Sequence, residues 1–560
     1  MTEKLNGARA LAKCLIKMGA PRVYGIIGTS NLAFVDALYE ERENIAYVSC
    51  RHEQVAASMA DTEGRLKGRP GVTMVHSGPG ALNSMISAGN AYKDSSPMMI
   101  ISGAVKRKLV GSDGMLELDH LEVFNGICKG VYRVGEASEV PAVFAEAYRT
   151  AMSGSRGPVL IEVPEDVWLE EAQVDIDGME LEADPPDPVN PDIVDGALSM
   201  LEKAELPLIL SGGGVAYSHS SDLLVRLAEA LQVPVITTGN GRGTIPENHP
   251  LCLGRAGFGG GIVPADKALE QCDALLCLGA GLSDMTLYEY TLPVSANNIT
   301  VVNISADCIA PQAPRSDLVL CDVADFLKIA CEKVAGKVSK HRPLWDQKLT
   351  DANLLWQQLQ QVALNREGDV PPGAVLMREL SHRVEDPIVS VGAGMHLIYP
   401  MVFLPCNRPL SFMSTVNFGS MGFGMAASMS AKLNEPERMS IAILGDGDFM
   451  MTVQDLETAA RENIGIKVFV MNDRQYRVLN VRQKLSFQGR IYGTEHTNPD
   501  FAKLALLFGC AGYRIAKSED IDPVLTAVLS EEGPAVVDVL IDPEDLPPMN
   551  IEANLRMSMG

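Results

Sequence analysis

The stretch "AILGDGDFMMTVQDLETAARENIGIKVFVMND", residues 442–473, decides the fold of this chain. Two short apolar runs, which end at Asp446 and Asn472, flank a segment with apolar residues at helical spacing. This order predicts a strand, a helix and a second strand parallel to the first. Thr452 is placed to cap the helix, with Asp455 as its reciprocal partner.

The two polar side chains are expected at one edge of the sheet, because the carboxyl ends of parallel strands meet there. Carboxylate, amide, carbonyl and phosphate oxygens suit octahedral Mg²⁺. Gly445 and Gly447 let a ligand approach the backbone closely. These residues predict a site for Mg²⁺ and a diphosphate. The alternative, which a GDG sequence alone leaves open, is a turn residue at Asp446 and a helix cap at Asn472.

The same alternation runs through the whole chain. Apolar runs such as "GVTMVHS", "LPLILSGGG" and "IVSVG" alternate with amphipathic stretches, and linker-like segments at 175–192 and 335–372 divide the chain. The pattern predicts an α/β protein with three doubly wound parallel-sheet domains. The expected parts are 1–178, 190–335, 365–545 and a tail at 546–560.

Composition excludes several classes of function. The 560 residues carry a net charge of −24, which argues against binding to nucleic acid or to an anionic membrane surface. No apolar stretch is long enough to span a bilayer. The first residues have basic side chains at helical spacing, unlike a signal peptide, and the eleven cysteines form no CxxC pair. We expect a cytoplasmic protein.

Gly445, Asp446, Gly447 and Asn472 resemble the motif of thiamine diphosphate-dependent enzymes of the acetolactate synthase, pyruvate oxidase and benzoylformate decarboxylase superfamily. The resemblance implies a Pyr-type, a central and a PP-type domain. It also implies thiamine diphosphate and Mg²⁺ as cofactors, with the metal held by Asp446, Asn472 and the backbone carbonyl of Arg474.

The segment "VSCRHEQVAASMADTEGR" resembles a second motif of this family. The match implies that Glu53 hydrogen-bonds N1′ of the cofactor's aminopyrimidine and so promotes loss of the thiazolium C2 proton. Without the resemblance, Glu53 is an ordinary glutamate in the first turn of a helix, where the helix dipole favours it.

The resemblance extends over nearly the whole chain and is closest to the acetolactate synthase branch. "TVNFGSMGFGMAAS" places Met421 at the apolar wedge that bends the cofactor, although a core methionine is an equal alternative. The other residues implied to contact the cofactor are Gly78, Pro79, Asn83, Gly392, Ala393, Gly394, Gly419, Asp448 and Tyr476.

The chain departs from the family where the substrate is bound. Met115 and Leu116 stand in place of the Phe and Gln of a "FQE" segment, and 279–285, "GAGLSDM", lacks the arginine that contacts FAD. FAD is therefore not expected. Arg477 replaces a glycine; it is either a bidentate site for a substrate carboxylate or phosphate, or a surface residue. The remaining substrate candidates are Thr29, Ser30 and His120.

His76 falls where benzoylformate decarboxylase-like enzymes have an active-site histidine, which implies proton transfer. The alternative is a satisfied histidine at a strand end. The family chemistry is decarboxylation of a 2-oxo acid, followed by transfer of the enamine to a second carbonyl compound. A simple decarboxylase that releases an aldehyde and a catalytically silent cofactor-binding paralogue remain alternatives.

The resemblance also has consequences for assembly and for the central domain. It implies a homo-oligomer, a dimer or a tetramer, with active sites between subunits. Gly212–Gly214 in the central domain are interpreted as the loop of a vestigial nucleotide site, because their spacing does not fit a dinucleotide-binding fingerprint.

Overall fold

The computed structural model describes residues 2–293, 295–337 and 342–550, and there the chain forms three parallel sheets of six strands flanked by helices. Strand segments such as Gly71–Val75 are buried along their whole length, as expected when helices cover both faces of a parallel sheet. The predicted α/β class is confirmed. No helix in these ranges combines the length and the apolar character needed to cross a membrane.

The N-terminal sheet has the strand order β3-β2-β4-β5-β7-β6, and β1 pairs separately with β8 in an antiparallel ladder. Its strands are β1 (Glu3–Asn6), β2 (Arg22–Gly25), β3 (Ala46–Ser49), β4 (Gly71–Val75), β5 (Met98–Ala104), β6 (Gly130–Arg133), β7 (Pro158–Pro164) and β8 (Glu171–Val174). Its helices are α1 (Gly7–Met18), α2 (Leu32–Glu40), α3 (Glu53–Lys67), α4 (Pro79–Lys93), α5 (His120–Phe124), α6 (Val140–Met152) and α7 (Glu165–Leu169).

The central sheet has the order β11-β10-β9-β12-β13-β14. Its strands are β9 (Pro207–Ser211), β10 (Val235–Thr237), β11 (Cys252–Arg255), β12 (Ala274–Leu278), β13 (Asn298–Asn303) and β14 (Asp317–Leu320). The helices here are α8 (Pro191–Lys203), α9 (Gly213–Tyr217), α10 (Ser221–Leu231), α11 (Val263–Gln271), α12 (Asp284–Leu287), α13 (Val323–Val334) and α14 (Pro343–Leu364).

The C-terminal sheet has the order β16-β15-β17-β18-β20-β19. Its strands are β15 (Ile388–Val391), β16 (Phe412–Met413), β17 (Ser440–Gly445), β18 (Lys467–Asn472), β19 (Ala511–Ile515) and β20 (Ala535–Leu540). Its helices are α15 (Gly373–Ser381), α16 (Ile398–Phe403), α17 (Phe423–Asn434), α18 (Asp446–Met450), α19 (Leu456–Arg461), α20 (Arg477–Ser486), α21 (Phe501–Leu507) and α22 (Ile521–Ser530). Of the predicted tail, 551–560 lies outside the described residues.

The chain forms two compact units. The first contains residues up to 185 together with 418–436 and 451–464, and the second contains 186–417, 437–450 and the rest of the chain. The first unit therefore includes α17, which packs against α3; the Ser430 hydroxyl donates to the Met59 carbonyl at 2.7 Å.

The predicted helix cap at Thr452 is wrong. A short helix, α18, begins at Asp446 directly after β17, and Thr452 makes no capping hydrogen bond. Its hydroxyl donates instead to the Gly422 carbonyl at 3.3 Å, and the Asp455 carboxylate accepts from the Arg51 N–H at 2.8 Å. The Thr452 hydroxyl and the Asp455 carboxylate, which would form a local capping box, are therefore bound to residues that are distant in sequence.

Candidate active site

Asp446 and Asn472 lie at the carboxyl ends of the neighbouring strands β17 and β18, and both are buried. The Asn472 Nδ2 donates to Asp538 Oδ1 at 2.8 Å. The Asn472 Oδ1 therefore faces away from Asp538. The Asn498 Nδ2 donates both to Asp446 Oδ2 at 2.6 Å and to Asn472 Oδ1 at 2.9 Å. The two oxygens therefore converge on one point.

This pair of oxygens fits a magnesium ion. A carboxylate and an amide oxygen are hard donors, and the point they face is occupied by a polar hydrogen donor, which a cation can replace. Among the described residues, no group of three or more His, Cys, Asp or Glu side chains is placed to hold a metal. A metal here would depend on the amide and on oxygens from outside the protein, such as those of a diphosphate.

Arg474 reaches this point through its N–H. Its backbone has a φ of +60°, its N–H donates to Asp446 Oδ2 at 2.6 Å, and its carbonyl accepts from the His496 N–H at 3.0 Å. The Arg474 carbonyl keeps a second lone pair beside this hydrogen bond, and its ligation of a metal stays a prediction. The Tyr476 ring lies 5.0 Å from the His496 ring, between ring centroids.

The loop after β15 approaches this region closely. A Cβ atom on Gly392 would lie 2.1 Å from Asp448 Oδ2, and one on Gly394 would lie 2.7 Å from His396 Nδ1. Ala393 lies half-buried between these glycines. Glycine is required here because no side chain fits between the backbone and these groups.

His396 is a buried residue of this region that sequence reasoning missed. Its Nε2 lies 3.5 Å from Asp448 Oδ2 and has no hydrogen-bond partner within residues 2–293, 295–337 and 342–550. Burial, assisted by the charge of Arg477, lowers the pKa of His396 to about 3. The imidazole is therefore neutral, and its contact with Asp448 is not an ion pair. Its position close after the Gly392–Gly394 loop was the one signal in the sequence.

Glu53 begins helix α3 in the first unit, where the helix dipole favours a carboxylate. Its side chain is largely buried, and the Asn83 Nδ2 donates to Glu53 Oε2 at 3.0 Å. A Cβ atom on Gly80 would lie 3.1 Å from Glu53 Oε1. The Gly78-Pro79-Gly80 turn that begins α4 therefore lies directly against this carboxylate.

His120 holds the same turn, and its predicted contact with a substrate is wrong. The Gly78 N–H donates to His120 Nε2 at 3.0 Å, and His120 Nδ1 lies 2.7 Å from Glu162 Oε2. Arg133 binds the other oxygen of Glu162. His120 is completely buried with both ring nitrogens engaged, so it has no group left for a ligand. Glu162 and Arg133 gave no signal in the sequence, because their partners are distant in the chain.

His76 is half-buried and is oriented by Ser30. The Ser30 hydroxyl accepts from the Ser77 N–H at 3.0 Å and lies 2.7 Å from His76 Nδ1, and the Ser30 N–H donates to the same nitrogen at 3.4 Å. This arrangement places the imidazole proton on Nε2. Burial lowers the pKa of His76, so the ring is neutral near pH 7. Ser30 is buried and acts on His76; Thr29 beside it is exposed.

The segment around Met421 belongs to the first unit and contacts α3. The Met421 carbonyl accepts from Gln54 Nε2 at 2.8 Å, and Gly419 before it is exposed with a φ of +74°. The structure thus brings Met421 to the residue that follows Glu53. Met115 is 87% exposed, whereas the Leu116 carbonyl accepts from the Ser77 hydroxyl at 2.9 Å.

Arg477 is neither a surface residue nor open to a substrate. It is 7% exposed, and its guanidinium donates to the Asp473 carboxylate and to the carbonyls of Asp542 and Asp545. Nε, Nη1 and Nη2 are all engaged within the chain. The bidentate substrate contact predicted for Arg477 is therefore wrong. Arg477 instead connects the loop after β18 to the segment after β20 by hydrogen bonds within the chain.

The glycine loop of the central sheet packs against its own chain. A Cβ atom on Gly212 would lie 2.3 Å from the Gly279 carbonyl oxygen, and one on Gly214 would lie 2.7 Å from the Gly279 Cα. These glycines allow two backbone segments to touch, so their presence is explained without a bound nucleotide.

A cavity of about 260 Å³ lies in the first unit, beside Glu117, Arg133 and Glu162.

The described residues thus form three parallel sheets, with hard oxygen donors at the strand ends of one and a buried glutamate beside a glycine turn in another. The chain belongs to the thiamine pyrophosphate enzymes. Residues 5–123 match their N-terminal TPP binding domain, 194–328 their central domain and 392–539 their C-terminal TPP binding domain.

Curated relatives match the chain over almost its whole length. It is 30% identical to a probable acetolactate synthase large subunit of Methanocaldococcus jannaschii, over 97% of this chain and 93% of the relative. It is 32% identical to an acetolactate synthase of Arthrospira platensis, over 98% and 96%. It is 30% identical to the acetolactate synthase isozyme 2 large subunit of Escherichia coli, over 96% of both chains.

Proposed function

We propose that this protein is a thiamine diphosphate- and Mg²⁺-dependent carboligase of the acetolactate synthase type. It removes CO₂ from a 2-oxo acid and joins the remaining acyl unit to a second carbonyl compound. The observation that carries the proposal is the convergence of Asp446 Oδ2 and Asn472 Oδ1 on one point. Similarity to acetolactate synthases over at least 96% of the chain supports the choice of reaction.

The protein's part in this chemistry is binding and orientation. When bound, thiamine diphosphate supplies the electron sink for loss of CO₂ and the nucleophilic carbon for the new bond. Asp446 and Asn472 would hold Mg²⁺ against the diphosphate, with Asp538 fixing the Asn472 amide. Glu53 would hold a proton of the aminopyrimidine ring, since Asn83 engages only its Oε2.

Simple decarboxylation is the second candidate, and His76 is the observation that favours it. The Ser30 N–H donates to Nδ1, which places the imidazole proton on Nε2, and no hydrogen bond from the described residues engages that nitrogen. When it is protonated, an imidazole held in this way can pass its Nε2 proton to a product and return to the neutral form. Because burial lowers the pKa of His76 below its usual value of 6.5, a step that requires the protonated ring should become faster as the pH falls below 6.5.

We further propose a cytoplasmic homo-oligomer in which each active site combines residues of two subunits, and which carries no FAD. The absence of an arginine from 279–285 supports the proposal that the protein carries no FAD. Purified protein is then expected to show no flavin absorbance, and stoichiometric flavin would overturn that proposal.

Product analysis tests the proposed reaction. The purified protein is incubated with thiamine diphosphate, Mg²⁺ and a panel of 2-oxo acids, with and without an added aldehyde. Acetolactate or another acyloin supports the carboligase. Free aldehyde as the sole product supports the decarboxylase, and loss of that product in His76→Phe assigns the proton transfer to His76. Release of CO₂ from none of the acids contradicts both reactions.

A further inference from the structure

The central sheet contains a buried arginine that has no acidic partner among the residues that the structure describes. Arg255 ends strand β11 and is 4% exposed. Its Nη2 donates to the Phe258 carbonyl at 3.2 Å, while its Nε and Nη1 have no hydrogen-bond partner in the described part of the chain. Burial lowers the pKa of Arg255 to about 10, so the guanidinium remains a cation near neutral pH.

The buried Asp266 carboxylate acts on Arg255 only from beyond ion-pair distance, and its oxygens are bound by other groups. Asp266 accepts from the Gly257 N–H at 3.0 Å, from the Tyr288 hydroxyl at 2.6 Å and from Asn550 Nδ2 at 2.9 Å. Across residues 2–293, 295–337 and 342–550, no acidic side chain lies within ion-pair distance of Arg255. A buried, unpaired cation is costly unless another group compensates it.

Glycines flank the unpartnered nitrogens. A Cβ atom on Gly239 would lie 3.6 Å from Arg255 Nε, and one on Gly260 would lie 2.4 Å from Nη1. Residues 257–261, "GFGGG", cover the guanidinium with a segment that has four glycines. Such a segment can rearrange to admit a ligand, since glycine adopts many backbone conformations.

We propose that Arg255 binds the carboxylate or phosphate group of a small ligand, which enters beneath the 257–261 loop. An oxyanion would accept from Nε and Nη1 and would supply the missing counter-charge in the charge-assisted geometry that arginine favours. The site is separate from the residues assigned to thiamine diphosphate, so its test does not depend on that assignment.

A binding experiment tests the proposal on the full chain in a buffer free of phosphate and carboxylates. Inorganic phosphate and acetate are titrated separately into the wild-type protein, Arg255→Met and Arg255→Lys, by calorimetry. We expect one site per chain in the wild type, weaker binding in Arg255→Lys and none in Arg255→Met. Tighter binding of phosphate indicates a phosphorylated ligand, and tighter binding of acetate indicates a carboxylate. Equal binding by wild type and Arg255→Met, or no binding by the wild type, overturns the proposal.

Thermal unfolding gives a second, independent readout. Without added anion, Arg255→Met is expected to melt at or above the wild-type temperature, because it removes an unpaired buried charge. The preferred anion should then raise the melting temperature of the wild type alone. Arg342→Met is the matched control: Arg342 is a buried arginine that donates to the Leu201 and Ala204 carbonyls, so its loss should lower the melting temperature and leave anion binding unchanged. A marked fall in the melting temperature of Arg255→Met without anion would show that Arg255 already has its partner.

Discussion

Glu53 is the residue on which the proposed chemistry depends most directly. Glu53 is the first residue of helix α3. Its carboxylate accepts a hydrogen bond from Asn83 and lies against the turn at Gly80. Glu53→Gln keeps the size of the side chain but removes its capacity to hold a proton. We expect thiamine diphosphate to bind while exchange of its C2 proton falls to near the rate of free cofactor, measured by deuterium exchange in NMR.

The exchange experiment has a matched control in Glu122→Gln, which changes an exposed glutamate in the same way and should exchange at the wild-type rate. Wild-type exchange in Glu53→Gln would remove the role given to Glu53.

Single residues divide sharply into those that the sequence could predict and those that it could not. Asp446 and Asn472 were placed together because each ends an apolar strand, and parallel strands align their carboxyl ends. His120 was misjudged because its partner Glu162 is 42 residues away. Arg477 was misjudged because its acceptors include carbonyls of Asp542 and Asp545, which no local pattern reveals.

At the scale of elements, the start of α4 is tied to strand β7 through one histidine. His120 links the Gly78 N–H to Glu162, and all three groups are buried or nearly so. His120→Ala would leave a buried N–H and a buried carboxylate oxygen unpaired. We expect it to lower the free energy of unfolding by about 2 to 4 kcal/mol and to weaken thiamine diphosphate binding, measured by urea unfolding and calorimetry.

The exposed His382 offers a control for that substitution. His382→Ala should change neither quantity. An unfolding free energy of His120→Ala equal to that of the wild type would mean that the turn does not depend on His120.

The secondary-structure elements were the most predictable level of the molecule. Parallel strands covered on both faces read as unbroken apolar runs, so "SIAIL" and "IKVFVM" identified β17 and β18 directly. The segment between them was less regular than its apolar spacing predicts. Residues 451–464 belong to the first compact unit, and their side chains satisfy partners there, such as Arg51.

At the scale of the whole molecule, the proposed function requires Glu53 and Asp446 to act on the same cofactor. We propose that they come from different subunits of an oligomer. A mixture of two inactive variants, Glu53→Gln and Asp446→Ala, tests this. A mixed dimer then has one site with both defects and one intact site, so co-refolding in equal amounts should restore about a quarter of wild-type activity.

Each variant alone is the control and should remain inactive at the same total concentration. If the mixture is as inactive as its components, each site is complete within one chain and the shared-site proposal is refuted.

The central claim is that Asp446 and Asn472 hold a metal that in turn holds thiamine diphosphate. The most direct measurement is calorimetric titration of thiamine diphosphate into wild-type protein, Asp446→Ala and the exposed-site control Asp284→Ala, each with Mg²⁺ and with EDTA. We expect tight binding only with Mg²⁺ in the wild type and the control, and a loss of about a hundredfold or more in Asp446→Ala. Folded Asp446→Ala that binds the cofactor with wild-type affinity and the same dependence on Mg²⁺ would contradict the claim.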